Sequence, residues 1–347
     1  MRVSLTKTEI SFSATPDQSL LDAALGASLN LPHSCKGGNC GSCRVRLVKG
    51  EIYYPNGPPL GLSDGEVAEG FMLLCQARAR SDLSIETSEI TTPDRASVKR
   101  LPVRVERAVA LSHDVMGLHL KLPVAQAFPF EAGQYIDILL PGGRRRSFSI
   151  ASPPHDARLL ELHVRRVAGG EFSGRLFEHD ARNALLSIEG PLGQFVYRQG
   201  SAPMLLVGGG TGLAPLLSIM RHVVGNGIAR DMTVYWGVRG ERDLYAHGVL
   251  GELAAVSGRA KLRYVPVLSD PPPEWPGARG LVHEAVIEDI HDLREYDVYA
   301  AGPPAMIAAA RREFGARGVA PHRLFFDSFD YAPDSLERQP TSAATKS

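Results

Sequence analysis

The sequence predicts a multidomain α+β chain in which a small α+β domain is followed by an antiparallel β-barrel and then by an α/β domain on a mostly parallel, doubly wound sheet. Three observations lead there. All four cysteines of the 347 residues lie between Cys35 and Cys75, in a segment of short strands and one short amphipathic helix. From Leu101 to about Arg198, short strand-like runs recur at close intervals between Gly and Pro, as they do in small barrels. From Pro203 onward strands alternate with helices, and such βαβ alternation implies a parallel sheet.

Taken in order, residues 3–5 and 10–13 read as a β-hairpin, and residues 19–25 carry apolar side chains at helical spacing before a loop opens at Pro32. Strands are expected at 44–48 and 83–86. The first domain is placed at residues 1–92, and a polar linker, with little periodicity, at 93–100. The barrel, residues 101–200, draws on strands at 102–107, 117–122, 135–140, 147–151 and 160–167. In the third domain, residues 201–331, strands at 204–207, 232–236, 262–268 and 297–301 alternate with helices ending near 224 and spanning 249–256, 282–290 and 304–317. Residues 332–347 have too few apolar side chains to pack and are expected to be disordered.

Composition narrows the function. The 38 Lys and Arg balance the 38 Asp and Glu, so the field of the whole chain argues for neither nucleic acid nor an anionic membrane as partner. The N-terminus lacks the apolar run of a secretory signal, and no stretch reaches the length of a membrane span. A cytoplasmic protein is expected. A reducing compartment also suits cysteines kept as metal ligands.

Cys35, Cys40, Cys43 and Cys75 form a C-x₄-C-x₂-C…C set, the plant-type spacing of a [2Fe–2S] cluster. Gly37, Gly38, Gly41 and Ser42 let the backbone curl so that N–H groups face sulfur. A structural zinc site prefers CxxC pairs, and two disulfides need an oxidising compartment; the uneven spacing suits neither. His33, beside the first cysteine, reads as a loop residue, since four thiolates are already available.

In the third domain Gly208, Gly209, Gly210, Thr211 and Gly212 fall between a strand and a helix, where free N–H groups attract a pyrophosphate. A second turn, Gly302–Pro303, ends a later strand at the carboxyl edge of the same sheet, where open α/β folds bind ligands. In the barrel, alternation puts Arg146 and Phe148 on one face of a strand and Ser149 on the other. Gly169 and Gly170 precede Ser173 at a helix start, a second phosphate cradle.

The segments RRSFS, GGEFS, GPLGQF, GGGTGLAP, YWGVRGERDLY, AAGPPAM and FFDSF, in that order, resemble the ferredoxin–NADP⁺ reductase superfamily over residues 100–330. With the cysteine domain included, the whole chain is similar to a reductase component of a multicomponent oxygenase, or to the related CDP-6-deoxy-glucoseen reductase. The resemblance implies a β-grasp-like ferredoxin domain, a flavin-binding barrel and an NAD(P)-binding α/β domain. It implies Arg146 neutralising the flavin pyrophosphate, Phe148 against the isoalloxazine and Ser149 near flavin N5 as a catalytic residue. Gly170 and Ser173 would hold the flavin phosphate. The turns at Gly208, Gly209, Gly210, Thr211 and Gly212 and at Gly302 and Pro303 would hold the pyridine nucleotide, and Phe329 would cover the other flavin face, also as a catalytic residue.

Two departures from that pattern bear on rate and affinity. Phe148 replaces the usual Tyr and loses a hydroxyl hydrogen bond worth on the order of 1 kcal/mol. Ala301 replaces the Cys that many relatives carry before Gly-Pro. The cofactors implied are a [2Fe–2S] cluster, FAD, by similarity to reductases with a ferredoxin domain, and NADH, with NADPH as the alternative because Arg239, Glu241, Arg242 and Asp243 give a mixed signal after the second strand. The partners implied are NAD(P)H and an electron-accepting protein such as an oxygenase component. A cluster-bearing sensor that has lost turnover is the alternative outside enzymes.

Overall fold

The computed structural model describes residues 1–329 except Lys7, Ser28, Asn30, residues 88–97 and Ala125. Most of the expected linker and the whole expected disordered tail lie outside the described residues.

The first domain holds β1 (Arg2–Leu5), β2 (Ser11–Ser13), α1 (Leu20–Gly26), β3 (Arg44–Lys49), β4 (Ile52–Tyr53), α2 (Asp64–Ala68), β5 (Phe71–Leu73), β6 (Arg78–Ala79) and β7 (Leu83–Glu86). Five strands form a mixed sheet in the order β2-β1-β7-β3-β5, with β1 parallel to β7. Ser19 caps α1 by accepting the Asp22 N–H at 3.0 Å, and Leu20, Leu21, Ala23 and Ala24 bury the helix on the sheet. The helix α2, absent from the sequence reading, carries a capping box from Ser63 and Glu66 but buries no residue, so it left no periodic signal.

The second domain comprises β8 (Lys99–Ala110), β9 (Val115–Lys121), β10 (Tyr135–Leu139), β11 (Arg145–Ser149), β12 (Leu159–Arg165), α3 (Glu171–Glu178) and β13 (Leu185–Leu192). Lys99 and Arg100, expected in the linker, already belong to β8. The six strands form one antiparallel sheet, β11-β10-β13-β8-β9-β12, that curls into a barrel-like layer: its edges meet at the Ile150–Leu162 bridge and through the Ala151 N–H to the Glu161 carbonyl at 2.7 Å. The strand β13, also missed, runs between β10 and β8; its Gly190-Pro191 reads as a breaker, but Pro191 falls in the irregularity opposite Tyr135 and Asp137, where no ladder N–H is required.

The third domain alternates β14 (Met204–Gly209), α4 (Leu213–Gly225), β15 (Met232–Val238), α5 (His247–Ala255), β16 (Leu262–Leu268), β17 (Ala278–Arg279), α6 (Val282–Asp289), β18 (Asp297–Gly302), α7 (Pro304–Ala316) and β19 (Leu324–Ser328). Its sheet is wholly parallel, β17-β16-β15-β14-β18-β19. The strand order reverses direction between β14 and β18, and a doubly wound sheet opens its ligand crevice at such a point. The edge strand β19 sets Asp327 opposite Ala301 and Ser328 opposite Gly302.

Candidate redox site

Between α1 and β3 the chain curls tightly. Lys36, Gly38 and Gly41 take φ of 56°, 83° and 73°, the left-handed region that turns the backbone inward. The Cys40 N–H then lies 3.4 Å from Cys35 Sγ and the Ser42 N–H 3.5 Å from Cys40 Sγ. Cys43 Sγ stands 3.2 Å from Cys75 Sγ, and all four thiols are free. The quartet is therefore two pairs, Cys35 with Cys40 and Cys43 with Cys75.

The hydrogen bond to Cys40, with burial, pushes the Cys35 thiol up, while Cys40 is drawn down by hydrogen bonds from Cys35 and Ser42. Cys43 and burial raise Cys75 in the same way. Neighbouring thiols lose both protons only to a cation between them. Two pairs with N–H groups turned to sulfur fit a two-iron cluster. A single zinc ion would hold all four sulfurs about 3.8 Å apart, and among the described residues no three of them lie mutually within 4.8 Å.

On the flavin side, Arg146 and Phe148 of β11 face one way and pair with Ile138 and Ile136 of β10, while buried Ser149 faces the other, as alternation predicts. Phe148 packs 5.6 Å from Phe172 and is half-buried. Gly170 starts α3, and a side chain there would strike Ser173 Oγ at 2.6 Å; a cleft of about 340 Å³ opens beside it, lined by Gly169, Gly170, Gly174 and Arg175. Ser173 Oγ accepts the Val167 N–H at 3.1 Å, so its own proton stays directed elsewhere. Gly170 and Ser173 come together; Arg146 lies on a different element, its Nη1 donating to the Arg145 carbonyl at 2.8 Å.

The two nucleotide turns meet. A Cβ on Gly209 would fall 3.0 Å from Pro303 Cδ, one on Gly302 would fall 3.2 Å from Gly209 Cα, and one on Gly212 would overlap the Ala301 carbonyl at 2.0 Å. Such contact explains the glycines by close approach, and it forms the crevice between β14 and β18. Phe329 N–H donates to the Gly302 carbonyl at 3.0 Å, which brings the terminal aromatic to the same turn. Of the mixed charges after β15, Asp243 is buried and caps the Gly240 N–H at 2.9 Å, whereas Arg239 and Arg242 stay exposed.

The three parts converge on Asp327, Ser34 and Asp137, which sequence reasoning did not single out, together with His33 and Ser149. Asp327 of β19 accepts a hydrogen bond from Ser34, beside Cys35, at 2.5 Å, and another from Ser149. Burial pushes its carboxyl up to about 7. Buried Asp137 of β10 accepts from Lys36 at 3.3 Å, and Gln194 N–H donates to the His33 carbonyl at 2.8 Å. His33 lies in the loop, as expected, and is fully buried there; burial lowers it to about 4, so it is neutral, with Nδ1 2.8 Å from the Leu31 carbonyl. His33 Nε2, Tyr135 Oη and Ser328 Oγ are buried with no protein partner among the described residues. Orphaned polar atoms at the meeting point of three domains fit a polar cofactor such as a flavin. The signal for these residues was their sheet position, readable only once β19 is recognised as a strand.

A thiol quartet, a glycine-lined cleft on a curled antiparallel sheet and a glycine-walled crevice on a parallel sheet, on one chain, fit an iron–sulfur flavoprotein oxidoreductase. Residues 3–80 match the 2Fe-2S iron-sulfur cluster binding domain, 102–197 the oxidoreductase FAD-binding domain and 206–312 the oxidoreductase NAD-binding domain. The chain is 36% identical over 329 residues to the CDP-6-deoxy-L-threo-D-glycero-4-hexulose-3-dehydrase reductase of Yersinia pestis, covering 95% of this chain and 98% of that one. It is 36% identical over 321 residues to the reductase subunit of an aromatic O-demethylase of Amycolatopsis, covering 90% and 94%. The crystal structure of the Amycolatopsis cytochrome P450 reductase GcoB superposes with a TM-score of 0.77 at 35% identity, covering 94% of this chain and 98% of that one. The chain belongs to the ferredoxin–NADP⁺ reductase superfamily, in the group that carries a [2Fe–2S] domain. It is an NAD(P)H-dependent electron-transfer reductase that uses FAD and a [2Fe–2S] cluster. No helix among the described residues is long and apolar enough to cross a membrane.

Proposed function

We propose that this reductase serves a multicomponent oxygenase, taking NADH as donor in the cytoplasm and acting on no nucleic acid. Cys35, Cys40, Cys43 and Cys75 hold the cluster. Arg146, Gly170 and Ser173 would hold the flavin phosphates and Phe148 would lie against the ring, with Ser149 near flavin N5 and Phe329 over the other face. Gly208, Gly209, Gly210, Thr211 and Gly212, with Gly302 and Pro303, seat the nucleotide. When bound, the flavin takes two electrons from the nicotinamide and releases them singly to the cluster, which accepts one at a time. The protein's part is to fix distance and keep the exchange dry.

The observation that carries this reading is the contact of the Cys35 loop with both other domains, through Ser34 to Asp327 and Lys36 to Asp137. Gly37 of that loop is exposed, and so is Leu60, at 83%, in the β4–α2 connection whose Gly61 N–H donates to the Gly38 carbonyl at 2.8 Å; the two give an acceptor its approach. The Yersinia relative supports a second reading, in which the acceptor is a deoxysugar dehydratase. Exposed Arg239 and Arg242 beside a committed Asp243 favour NADPH as the alternative donor. Reconstitution decides between acceptors: NADH-driven product formation with an oxygenase component supports the proposal, and turnover with a dehydratase alone overturns it.

A further inference from the structure

Arg311 stands on α7 in the nucleotide domain, yet its guanidinium reaches the cysteine loop. Nη2 donates to the Cys40 carbonyl at 2.5 Å and Nη1 to the Gly61 carbonyl at 2.7 Å. Its charged carbon sits 5.4 Å from the Phe326 ring centre. A Cβ built on Gly41 would fall 2.1 Å from Nη2, so the guanidinium lies flush on the backbone between Cys40 and Ser42. Gly61 N–H also donates to the Gly38 carbonyl at 2.8 Å, so one arginine ties two loop segments of the cysteine cradle to α7.

Peptide geometry gives this contact a consequence at the sulfurs. The cis bond among the described residues is Gly190–Pro191, so the Cys40–Gly41 peptide is trans. In a trans peptide the C=O and N–H point in opposite directions. Drawing the Cys40 carbonyl out toward Arg311 therefore turns the Gly41 N–H inward, to the side where the Cys40 and Ser42 N–H groups already face thiols.

We propose that Arg311 is a cross-domain positioning residue that raises the reduction potential of the [2Fe–2S] cluster and aims the loop N–H groups at it. The proposal rests on the reading that the four cysteines hold that cluster. The guanidinium keeps its charge at any working pH, and net charge together with hydrogen bonds to sulfur sets the potential of such clusters. Removing the charge and releasing the Cys40 carbonyl both disfavour the added electron.

The test is an anaerobic redox titration of the full-length holoprotein, followed by EPR, on wild type, R311Q, R311K and R312Q. Arg312 is the exposed neighbour, paired with Glu313 at 2.9 Å, and serves as the control for generic charge. R311Q is expected to shift the cluster to a more negative potential and R311K to shift it less, with R312Q at the wild-type value. Loss of iron from R311Q with full iron in R312Q also supports the assignment. An unchanged potential in R311Q, or an equal shift in R312Q, overturns it. Wild-type protein that gives no EPR signal on reduction overturns the cysteine reading itself, which keeps the two failures distinct.

Discussion

Two seams join the three domains, and they are built from different chemistry. Flavin and nucleotide domains meet through charge: Glu161 of β12 pairs with Arg221 of α4 at 2.6 Å and with His163 at 3.0 Å, and His163 reaches the Tyr245 hydroxyl at 3.0 Å. The cysteine loop meets both partners mostly through backbone carbonyls and hydroxyls, as in Ser42 to the Phe326 carbonyl at 3.3 Å and Ser34 to Asp327. On the function proposed above, the first seam would set where nicotinamide meets flavin, and the second where flavin meets cluster. A carbonyl keeps its dipole at every pH, whereas an ion pair is lost when its acid is protonated, so the Glu161 cluster gives the first seam an acid dependence that the carbonyl contacts of the second do not share.

The largest effect is expected from E161Q. Burial raises the Glu161 carboxyl, but the His163 hydrogen bond and Arg221 outweigh it and hold the group at about 2, below its ordinary 4.5. A lowered folded value stabilises above 4.5, and that stability drains away as pH falls from 4.5 toward 2. E161Q should cost about 2 kcal/mol at neutral pH, between the values for exposed and buried pairs, and flatten the acid limb of a urea-denaturation series. An acid limb unchanged in E161Q would remove the contrast between the seams.

Next comes S34A, which strips the buried Asp327 of a donor and should cost about 1–2 kcal/mol. Stopped-flow absorbance should show flavin reduction by NADH faster than the following electron transfer to the cluster, with S34A slowing the second phase more than the first. G210A follows. Gly210 has φ of 54°, and a Cβ there would press Arg165 Nη1 at 2.8 Å, so the strain is about 1 kcal/mol and the first phase should slow. The smallest structural effect belongs to L60E, on an exposed side chain; melting should stay within about 0.5 kcal/mol of wild type while the rate of delivery to the protein acceptor falls.

The cysteine loop was legible because ligand spacing and small residues are local facts, and the glycine turns because they follow strands. Charge balance, domain order and the alternation placing Ser149 opposite Phe148 were equally local. Asp327 and Arg311 were not legible. Each acts across a seam, on elements hundreds of positions from the thiols, and an Asp in FFDSF or an Arg on an amphipathic helix carries no mark of what another domain will press against it. The strand β19 was hidden because its residues were read for one aromatic, and β13 because Gly-Pro is usually a boundary.

The most direct test is anaerobic mixing of purified protein with NADH, reading flavin absorbance and then EPR on the frozen mixture, in wild type and Cys43→Ser. Flavin bleaching in both proteins, with the signal of a reduced [2Fe–2S] centre in wild type alone, is the predicted result. Bleaching with the same iron signal in both, or a colourless wild type holding stoichiometric zinc, would contradict it.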